Sequence, residues 1–411
     1  MAEHQRTGGP AASPIAAKVE RMSEALGLFF AAVTDPAYTR RPPGRPVADF
    51  VAGNPQEMPL PGLVEALTRW SVPQHKDWFA YNMGDPKAQA AAAAGLTERL
   101  GLELAPEDVL LTRGAFGALE LALETVVDPD DEVIFVIPPW FFYEALILHS
   151  EGTPVRVRVD PETFDLDVGA IARAISERTR ALILNTPNNP TGKIYPSETL
   201  EGLAAVLKEA SERNGRTIYI VSDESYSRIL FDGREFVTPA RFHPATFLVH
   251  TYSKITLSPG QRLGYLALPP SMPERERVRA GATTALVGGG FGIPDALMQY
   301  ALPDMETLSI DLDHLERKRN RMALELRKLG YRLHLPEATF YLLVRSPIPD
   351  DWAFADLLAR DHVYVMPGKL VEMPGYFRIS LTATDEMIDL ALPVFAAAIE
   401  EVKAAEPVGT E

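Results

Sequence analysis

Short apolar runs alternate with helix-like segments between residues 109 and 268, and this alternation constrains the fold more than any other feature. The strand-like runs are Val109–Thr112, Glu132–Ile137, Val155–Val159, Ala181–Asn185, Ile218–Ser222, Thr246–Thr251 and Leu263–Leu268. The helix-like segments between them are Ala115–Val126, Trp140–Ser150, Val168–Ala174 and Pro196–Asn214. Such alternation is typical of an α/β fold. We therefore expect a mostly parallel seven-stranded sheet flanked by helices.

The pattern changes after residue 293, where a long charged helix, Ser309–Leu329, is followed by short strands and further helices. This α+β pattern predicts a second, smaller domain. We expect a large domain over residues 49–293 and a small C-terminal domain over residues 294–404. Residues 15–48 read as an N-terminal helix (Ile15–Ala32) and an arm that belong with the small domain. Residues 1–14 and 405–411 read as flexible tails.

The composition excludes several classes of protein. The 411 residues carry a net charge of −16, which repels phosphate backbones and argues against nucleic-acid binding. There are no cysteines, so disulfides and thiolate chemistry are excluded, and the eight histidines show no metal-binding spacing. The most apolar run, Val133–Leu148, is interrupted by Pro138, Pro139 and Glu144, which argues against a membrane span. No secretory signal is visible, and we expect a cytoplasmic protein.

Two polar segments follow predicted strands directly. NTPNNPTG at 185–192 contains Asn189, and VSDESY at 221–226 contains Asp223 and Tyr226. Ligands of α/β sheets bind at the carboxyl ends of the strands, where an asparagine can bond to a ring oxygen. Asp223 alone could equally be a helix N-cap, and on a helical turn Tyr226 would share its face.

A third segment, TYSKITLSPGQRLG at 251–264, places Lys254 among hydroxyl side chains, with Arg262 eight residues later. A lone lysine after a strand is usually solvated, but a desolvated lysine can form a Schiff base with an aldehyde. The hydroxyls and the arginine suit a phosphate.

Two further segments carry weaker signals. In LLTRGAFGAL at 110–119 a strand runs through glycines into a helix, whose first backbone amides can bind a phosphate. In FRIS at 377–380, Arg378 is either a salt-bridge residue or a clamp for a carboxylate.

Taken together and in this order, the segments resemble those of the class I/II aminotransferases, which are fold type I enzymes that use pyridoxal 5′-phosphate (PLP). The resemblance covers residues 49 to about 402. It implies that Lys254 holds PLP as an internal aldimine and then moves the proton between the substrate α-carbon and the cofactor. It also implies that Asp223 pairs with the pyridine nitrogen, and that Tyr226 and Asn189 bond the ring's phenolic oxygen.

The remaining roles implied by the resemblance concern the phosphate, the ring and the substrate. The phosphate contacts are Ala115, Phe116, Thr251, Ser253 and Arg262, with Tyr81 reaching the phosphate of the neighbouring subunit in a homodimer. Trp140 stacks on the ring, although its position also fits core packing. Arg378 clamps the substrate α-carboxylate, with Gly53 and Asn189 beside it.

Three functions remain open at this point. The resemblance favours transfer of an amino group from an L-amino acid to a 2-oxo acid. Decarboxylases, lyases, cyclases and oxidases share the same motifs, because fold does not fix the reaction. A transcription regulator with such a domain is disfavoured by the short N-terminal segment and by the net charge.

The identity of the substrate is less constrained by the sequence. No lysine or arginine lies between Arg279 and Arg317, where related enzymes often place an arginine for an acidic side chain. Burying a carboxylate there without a partner would be costly. We therefore expect a neutral or apolar substrate, unless Arg40, Arg41 or Arg45 supplies the missing charge.

Overall fold

The computed structural model describes residues 13–35, 41, 44–290 and 292–405. Most of the two expected tails, and Arg40, lie outside these residues.

A seven-stranded sheet forms the centre of the fold, with the strand order β2-β8-β7-β6-β5-β3-β4. Its strands are β2 (Val109–Thr112), β3 (Glu132–Ile137), β4 (Thr153–Arg158), β5 (Thr179–Asn185), β6 (Tyr219–Asp223), β7 (Thr246–Thr251) and β8 (Gly264–Ala267). Strand β8 is antiparallel to both of its neighbours, whereas the other pairs are parallel. The α/β fold and the seven-stranded, mostly parallel sheet predicted from the sequence are therefore confirmed.

Helices cover both faces of this sheet. They are α3 (Pro61–Trp70), α4 (Pro86–Leu100), α5 (Gly114–Val126), α6 (Tyr143–His149), α7 (Val168–Ala174), α8 (Ser197–Asn214), α9 (Tyr252–Ile255), α10 (Arg275–Gly288) and α11 (Ala296–Glu306). Alternate residues of β3 point to opposite faces: Phe135 belongs to the core formed with α5, and Ile134 to the core formed with α8. Because both faces are buried in most of the sheet, its strands read as continuous apolar runs, except the edge strand β4, which is partly exposed.

A smaller four-stranded antiparallel sheet has the order β12-β13-β10-β9. Its strands are β9 (Arg332–Leu333), β10 (Tyr341–Arg345), β12 (Met366–Pro367) and β13 (Tyr376–Ser380). The helices of this part of the chain are α12 (Leu312–Leu329), α13 (Asp351–Ala359) and α14 (Asp385–Ala405). Near the N-terminus, β1 (Ala48–Asp49) pairs in parallel with β11 (Val363–Tyr364), so the segment before α3 is joined to the chain between α13 and β12.

Two helical regions differ from the expectation. The segment expected as one helix, Ile15–Ala32, forms two, α1 (Ala17–Ala25) and α2 (Gly27–Thr34), with a break at Leu26. Helix α10 was not predicted, because Gly281 and two threonines dilute its apolar pattern. Of the helices in the described residues, none has the length and apolarity to cross a bilayer.

Candidate active site

The principal pocket lies at the edge of the large sheet where β5, β6 and β7 end, and it contains about 510 Å³ of empty space, part of it open to solvent. The parallel arrangement of these strands brings the polar segments that follow them to one place. The residues of this pocket that the sequence predicted are Ala115, Phe116, Trp140, Asn189, Asp223, Tyr226, Thr251, Ser253, Lys254 and Arg262. Segments that are up to 147 residues apart in the chain therefore meet in one pocket.

Lys254 reaches the pocket from α9, a single helical turn directly after β7. Thr251 caps this turn by accepting a hydrogen bond from the amide of Ser253 (3.4 Å). The Lys254 side chain is half-buried, and its Nζ lies 5.6 Å from the centre of the Tyr226 ring. A half-buried amine beside an aromatic ring, inside a pocket, is well placed to react with a carbonyl group.

Asp223 is the last residue of β6 and is buried. Its Oδ2 accepts a hydrogen bond from the hydroxyl of Tyr143 (2.7 Å), and its Oδ1 accepts one from Ser225 Oγ (2.6 Å). Burial raises the pKa of the Asp223 carboxyl, although these hydrogen bonds and the charge of Lys254 act to lower it. A cationic group in the pocket would therefore be held strongly beside this carboxylate.

The amino end of α5 forms an anion cradle with Arg262 and Thr251. Gly114 adopts a φ of +75°, and a Cβ atom at this position would lie 2.8 Å from Arg262 Nη2 and 3.4 Å from Thr251 Oγ1. The missing side chain therefore leaves room between these groups and the backbone amides that follow. Thr251 Oγ1 in turn lies 2.7 Å from Ser253 Oγ. Amides, hydroxyls and a guanidinium together suit a phosphate group.

Asn189 is fixed by the loop after β5. Its backbone amide donates to Asn185 Oδ1 (2.7 Å), and Asn185 Nδ2 donates to the carbonyl of Asp223 (3.0 Å). Nearby, Tyr226 is buried, and burial raises the pKa of its hydroxyl well above the usual value. Tyr226 therefore keeps its proton at neutral pH and can donate a hydrogen bond.

Arg378 lies on β13 and lines a second cavity, which adjoins the first and shares Trp140, Asn189 and Lys254 with it. Its Nη1 donates to Asn189 Oδ1 and its Nη2 to the carbonyl of Val51, each at 3.0 Å. Its buried Nε has no hydrogen-bond partner among the described residues. Gly53 also lines this cavity. Because an unpaired buried donor is costly, this arrangement suits a carboxylate ligand.

Tyr81 is the one predicted site residue that the structure does not bring to either cavity. Its side chain is 95% exposed. The proposed contact with a neighbouring subunit stays a prediction.

Four residues at the site were not predicted: Tyr143, Ser225, Asn185 and Tyr341. The first three lie within or beside segments that the sequence had already marked, so their proximity to Asp223 and Asn189 could have been inferred. Tyr341 comes from β10, and its hydroxyl lies 3.5 Å from that of Tyr226. Its ring lies 4.0 Å from the Arg378 guanidinium. No local sequence signal marks it, because it reaches the site only through the packing of the small sheet.

The large sheet and the groups at its carboxyl edge are those of the fold type I enzymes. The sequence matches the family "Aminotransferase class I and II" over residues 45–395. It is 32% identical to the aspartate/prephenate aminotransferase of Thermus thermophilus, over 89% of this chain and 94% of that protein. It is 28% identical to the aspartate aminotransferase of Thermotoga maritima, over 85% and 90% of the two chains.

Solved structures agree with this assignment. An amino transferase from Eubacterium rectale superimposes with a TM-score of 0.83, at 25% identity, and covers 95% of this chain and 96% of that one. A double mutant of the Thermus thermophilus aspartate aminotransferase gives a TM-score of 0.78, at 29% identity, with 94% and 97% covered. The chain belongs to the class I and II aminotransferases.

Proposed function

We propose that this aminotransferase moves an amino group from an L-amino acid to a 2-oxo acid, with PLP bound in the principal pocket. One observation carries the proposal: Lys254, the buried Asp223 and the anion cradle share a pocket that adjoins Arg378. An amine, a carboxylate and a phosphate site suit the aldehyde, the pyridine nitrogen and the phosphate of that cofactor, and Arg378 suits the carboxylate of the substrate.

The residues present fit PLP in chemistry. Beside Gly114, where a Cβ atom would crowd Arg262 and Thr251, a phosphate would be held by Arg262, Thr251 and Ser253 and by the amides of Ala115 and Phe116. Trp140 supplies an aromatic face for the ring. When bound, PLP supplies an electron sink for the carbanion formed at the substrate's α-carbon.

Four side chains move protons or bond to the cofactor in this proposal. Lys254 takes the proton from the α-carbon and later returns one. Asp223 stays ionised when a protonated ring nitrogen lies beside it, and its negative charge in turn keeps that nitrogen protonated. Tyr226 donates a hydrogen bond from its buried hydroxyl toward the ring oxygen, and Asn189, fixed through Asn185, bonds to the same oxygen.

Arg378 determines which bond of the substrate reacts. Its guanidinium is fixed on two sides, by Asn189 Oδ1 and by the carbonyl of Val51, so that its Nε is left for the α-carboxylate. A carboxylate paired with arginine is retained, and the α-proton is then the group that leaves toward Lys254. Removing one partner of such a buried charge pair costs about 2–5 kcal/mol.

We further propose that the protein is a homodimer, in which Tyr81 contacts the phosphate site of the partner. Support comes from the family resemblance and from the exposure of large apolar side chains in the same segment, including Val72 and Phe79, which are each 62% exposed. Exposed apolar side chains in one segment are typical of an interface.

The test is a single turnover with one amino acid donor and no 2-oxo acid acceptor. We expect one equivalent of 2-oxo acid per site, with the amino group retained on the protein-bound cofactor. Reduction with borohydride before the turnover should attach the cofactor to Lys254. The Lys254→Ala variant should lose turnover by at least about 10²- to 10⁴-fold, the usual contribution of general acid–base catalysis, whereas Lys208→Ala, on an exposed face of α8, should not.

Other outcomes would contradict the proposal. Release of carbon dioxide, consumption of oxygen or loss of a side-chain leaving group would indicate one of the alternative reactions. A borohydride label on another lysine would remove the assignment of Lys254.

A further inference from the structure

A further cavity lies outside the active site and shares none of the described residues that line the two cavities above. It contains about 1220 Å³ of empty space, part of it open to solvent. Its walls come from the end of α4, from the segment between β6 and β7, and from the residues that lead from α11 into α12. Helix α9 contributes Lys254 to the principal pocket and Ile255 to this cavity, so the two sites lie close together.

Most of the charged groups that line this cavity are arginines. The described ones are Arg99, Arg228, Arg234, Arg241 and Glu235. Four cations against one anion contrast with the net charge of −16 of the whole chain. We call this space the arginine cavity.

Two of these arginines share a single carboxylate, that of Glu306 at the end of α11. Arg99 Nη1 donates to Glu306 Oε1, and Arg228 Nη1 lies 4.0 Å from the same oxygen. Tyr252 donates its hydroxyl to the other oxygen of Glu306. Both oxygens of this carboxylate are thus occupied, and one negative charge faces two guanidinium groups.

Arg228 is held in place but is not neutralised. Its Nη2 donates to the carbonyls of Glu306 and Leu308, each at 3.0 Å, and its buried Nη1 has no hydrogen-bond partner among the described residues. The side chain is only 13% exposed. Burial and the charge of Arg99 lower the pKa of the Arg228 guanidinium. An anion beside it would relieve this repulsion.

The other two arginines are more accessible. Arg241 donates from Nε and Nη2 to the carbonyl of Leu100, at 3.2 and 2.7 Å, and a carbonyl fixes its position without cancelling its charge. Arg234 lies 3.7 Å from Glu337, a carboxylate that Lys193 also approaches, at 3.5 Å. The arginine cavity therefore carries an excess of positive charge.

We propose that the arginine cavity is an anion site outside the active site, which binds the phosphate group of inorganic phosphate or of a phosphorylated metabolite. Guanidinium groups match the oxygens of a phosphate and bind them through paired hydrogen bonds. A phosphate dianion also offsets more of the excess charge than a single carboxylate does. This inference goes beyond the proposed amino transfer and does not depend on it.

The test measures the binding of inorganic phosphate and of glycerol 3-phosphate by calorimetry, at constant ionic strength and without other multivalent anions. It uses the PLP-loaded protein, in which the anion cradle of the principal pocket is occupied. We expect one equivalent per chain to bind and to raise the midpoint of thermal unfolding, because a ligand of the folded state stabilises that state. The probe that binds more tightly shows whether the ligand is the free ion or a phosphate ester.

Variants at accessible positions locate the site. Arg234→Met combined with Arg241→Met should weaken phosphate binding at least about tenfold, the effect of losing one hydrogen bond between charged groups. Arg234→Lys combined with Arg241→Lys keeps both charges and should retain more of the affinity than the methionine pair. Arg173→Met, at a 74% exposed arginine of α7, is the matched control and should change nothing.

A variant of opposite sign keeps the test independent of any damage to the fold. Glu235 is exposed and is the one carboxylate among the described residues that line the cavity. Glu235→Gln should therefore tighten phosphate binding by about two- to fivefold, because it removes a charge that repels the ligand.

Three results would overturn the inference: no binding at millimolar phosphate, equal affinity in the wild type and in the methionine pair, or no tightening in Glu235→Gln. Equal affinity in the methionine pair would place the ion elsewhere, for example at Arg378. Amino transfer without phosphate binding would leave the proposed function intact, and phosphate binding without amino transfer would leave this site.

Discussion

Adjacent carboxyl groups at the end of β6 have opposite surroundings. Asp223 faces the principal pocket, whereas Glu224 is 3% exposed and lies on the other side of the chain. Its Oε1 accepts hydrogen bonds from Ser222 Oγ (2.9 Å) and Thr238 Oγ1 (2.6 Å). Burial nevertheless raises the pKa of Glu224 to about 7. The fold thus places one carboxyl where it can be paired and the other where it favours its protonated form.

The first prediction concerns Glu224→Gln and the dependence of stability on pH. The ordinary pKa is 4.5 and the folded value is about 7, so the folded state binds more protons than the unfolded state between these values. The free energy of unfolding should therefore fall as the pH rises through this window, by about 3 kcal/mol from this group. Glutamine keeps the acceptor and removes the effect.

The measurement is thermal unfolding of both proteins at pH 5 and pH 8. The variant should match the wild type near pH 5 and be the more stable of the two at pH 8. A variant that is less stable at pH 8, or that follows the same pH dependence, would contradict the buried and protonated state of Glu224.

The residues of the site differ in how far the sequence could predict them. Asn189, Asp223 and Lys254 each follow the end of a strand, and parallel strands bring such positions together whatever the details of packing. Tyr341 could not be found in this way, because its position depends on how the small sheet packs against the large one. The ion pair between Arg41 and Asp49 also needed the structure, since charge pairing in three dimensions leaves no local pattern.

At the scale of elements, strands were predicted better than helix ends. Apart from the edge strand β4, the strands of the large sheet are buried and therefore appear as compact apolar runs. The break at Leu26 was missed, because apolar spacing continues from α1 into α2. Helix α10 was missed because few of its residues are buried; Ala282 and Leu286 are the buried ones among the residues described.

The second prediction concerns the loop between β5 and α8. This loop packs against the segment between β9 and β10 of the small sheet. Gly192 adopts a φ of +71°, and a Cβ atom there would lie 2.3 Å from Pro336 Cβ and 2.8 Å from the carbonyl oxygen of Ala338. Gly192→Ala should lower the free energy of unfolding by roughly 2 kcal/mol or more, through backbone strain and overpacking. It should also weaken activity, because Asn189 lies in the same loop.

Gly202→Ala is the matched control for this prediction. Gly202 lies within α8, and a Cβ atom at this position would have no described neighbour within 4 Å beyond its own helical turn, so alanine should stabilise the protein by about 0.5–1 kcal/mol. Denaturant midpoints of the two variants give the comparison. Equal effects of both substitutions would show that the loop is not held against the small sheet.

At the scale of the whole molecule, the site exists only where the two sheets meet. Arg378 and Tyr341 come from the small sheet, whereas Asn189 and Lys254 come from the segments that follow large-sheet strands. The hydrogen bond from Arg378 to Asn189 joins residues 189 positions apart in the chain. Substrate binding and the packing of the small sheet on the large one are therefore coupled, since the same arginine serves both.

The last prediction is the assembly state. The segment that carries Tyr81 also exposes Val72, Phe79 and Met83, and covering these side chains by a second copy would remove apolar surface from water. Sedimentation should give a mass of about 90 kDa, twice the 45.2 kDa of one chain. Phe79→Ser should shift the protein toward monomer, whereas Leu324→Ser, at a 54% exposed position on α12, should not.

Tyr81→Phe should keep the dimer but hold PLP less tightly, because it removes only the hydroxyl that would reach the partner's phosphate. A fully active protein of about 45 kDa at micromolar concentration, or equal PLP affinity in Tyr81→Phe, would show that each chain completes its site alone.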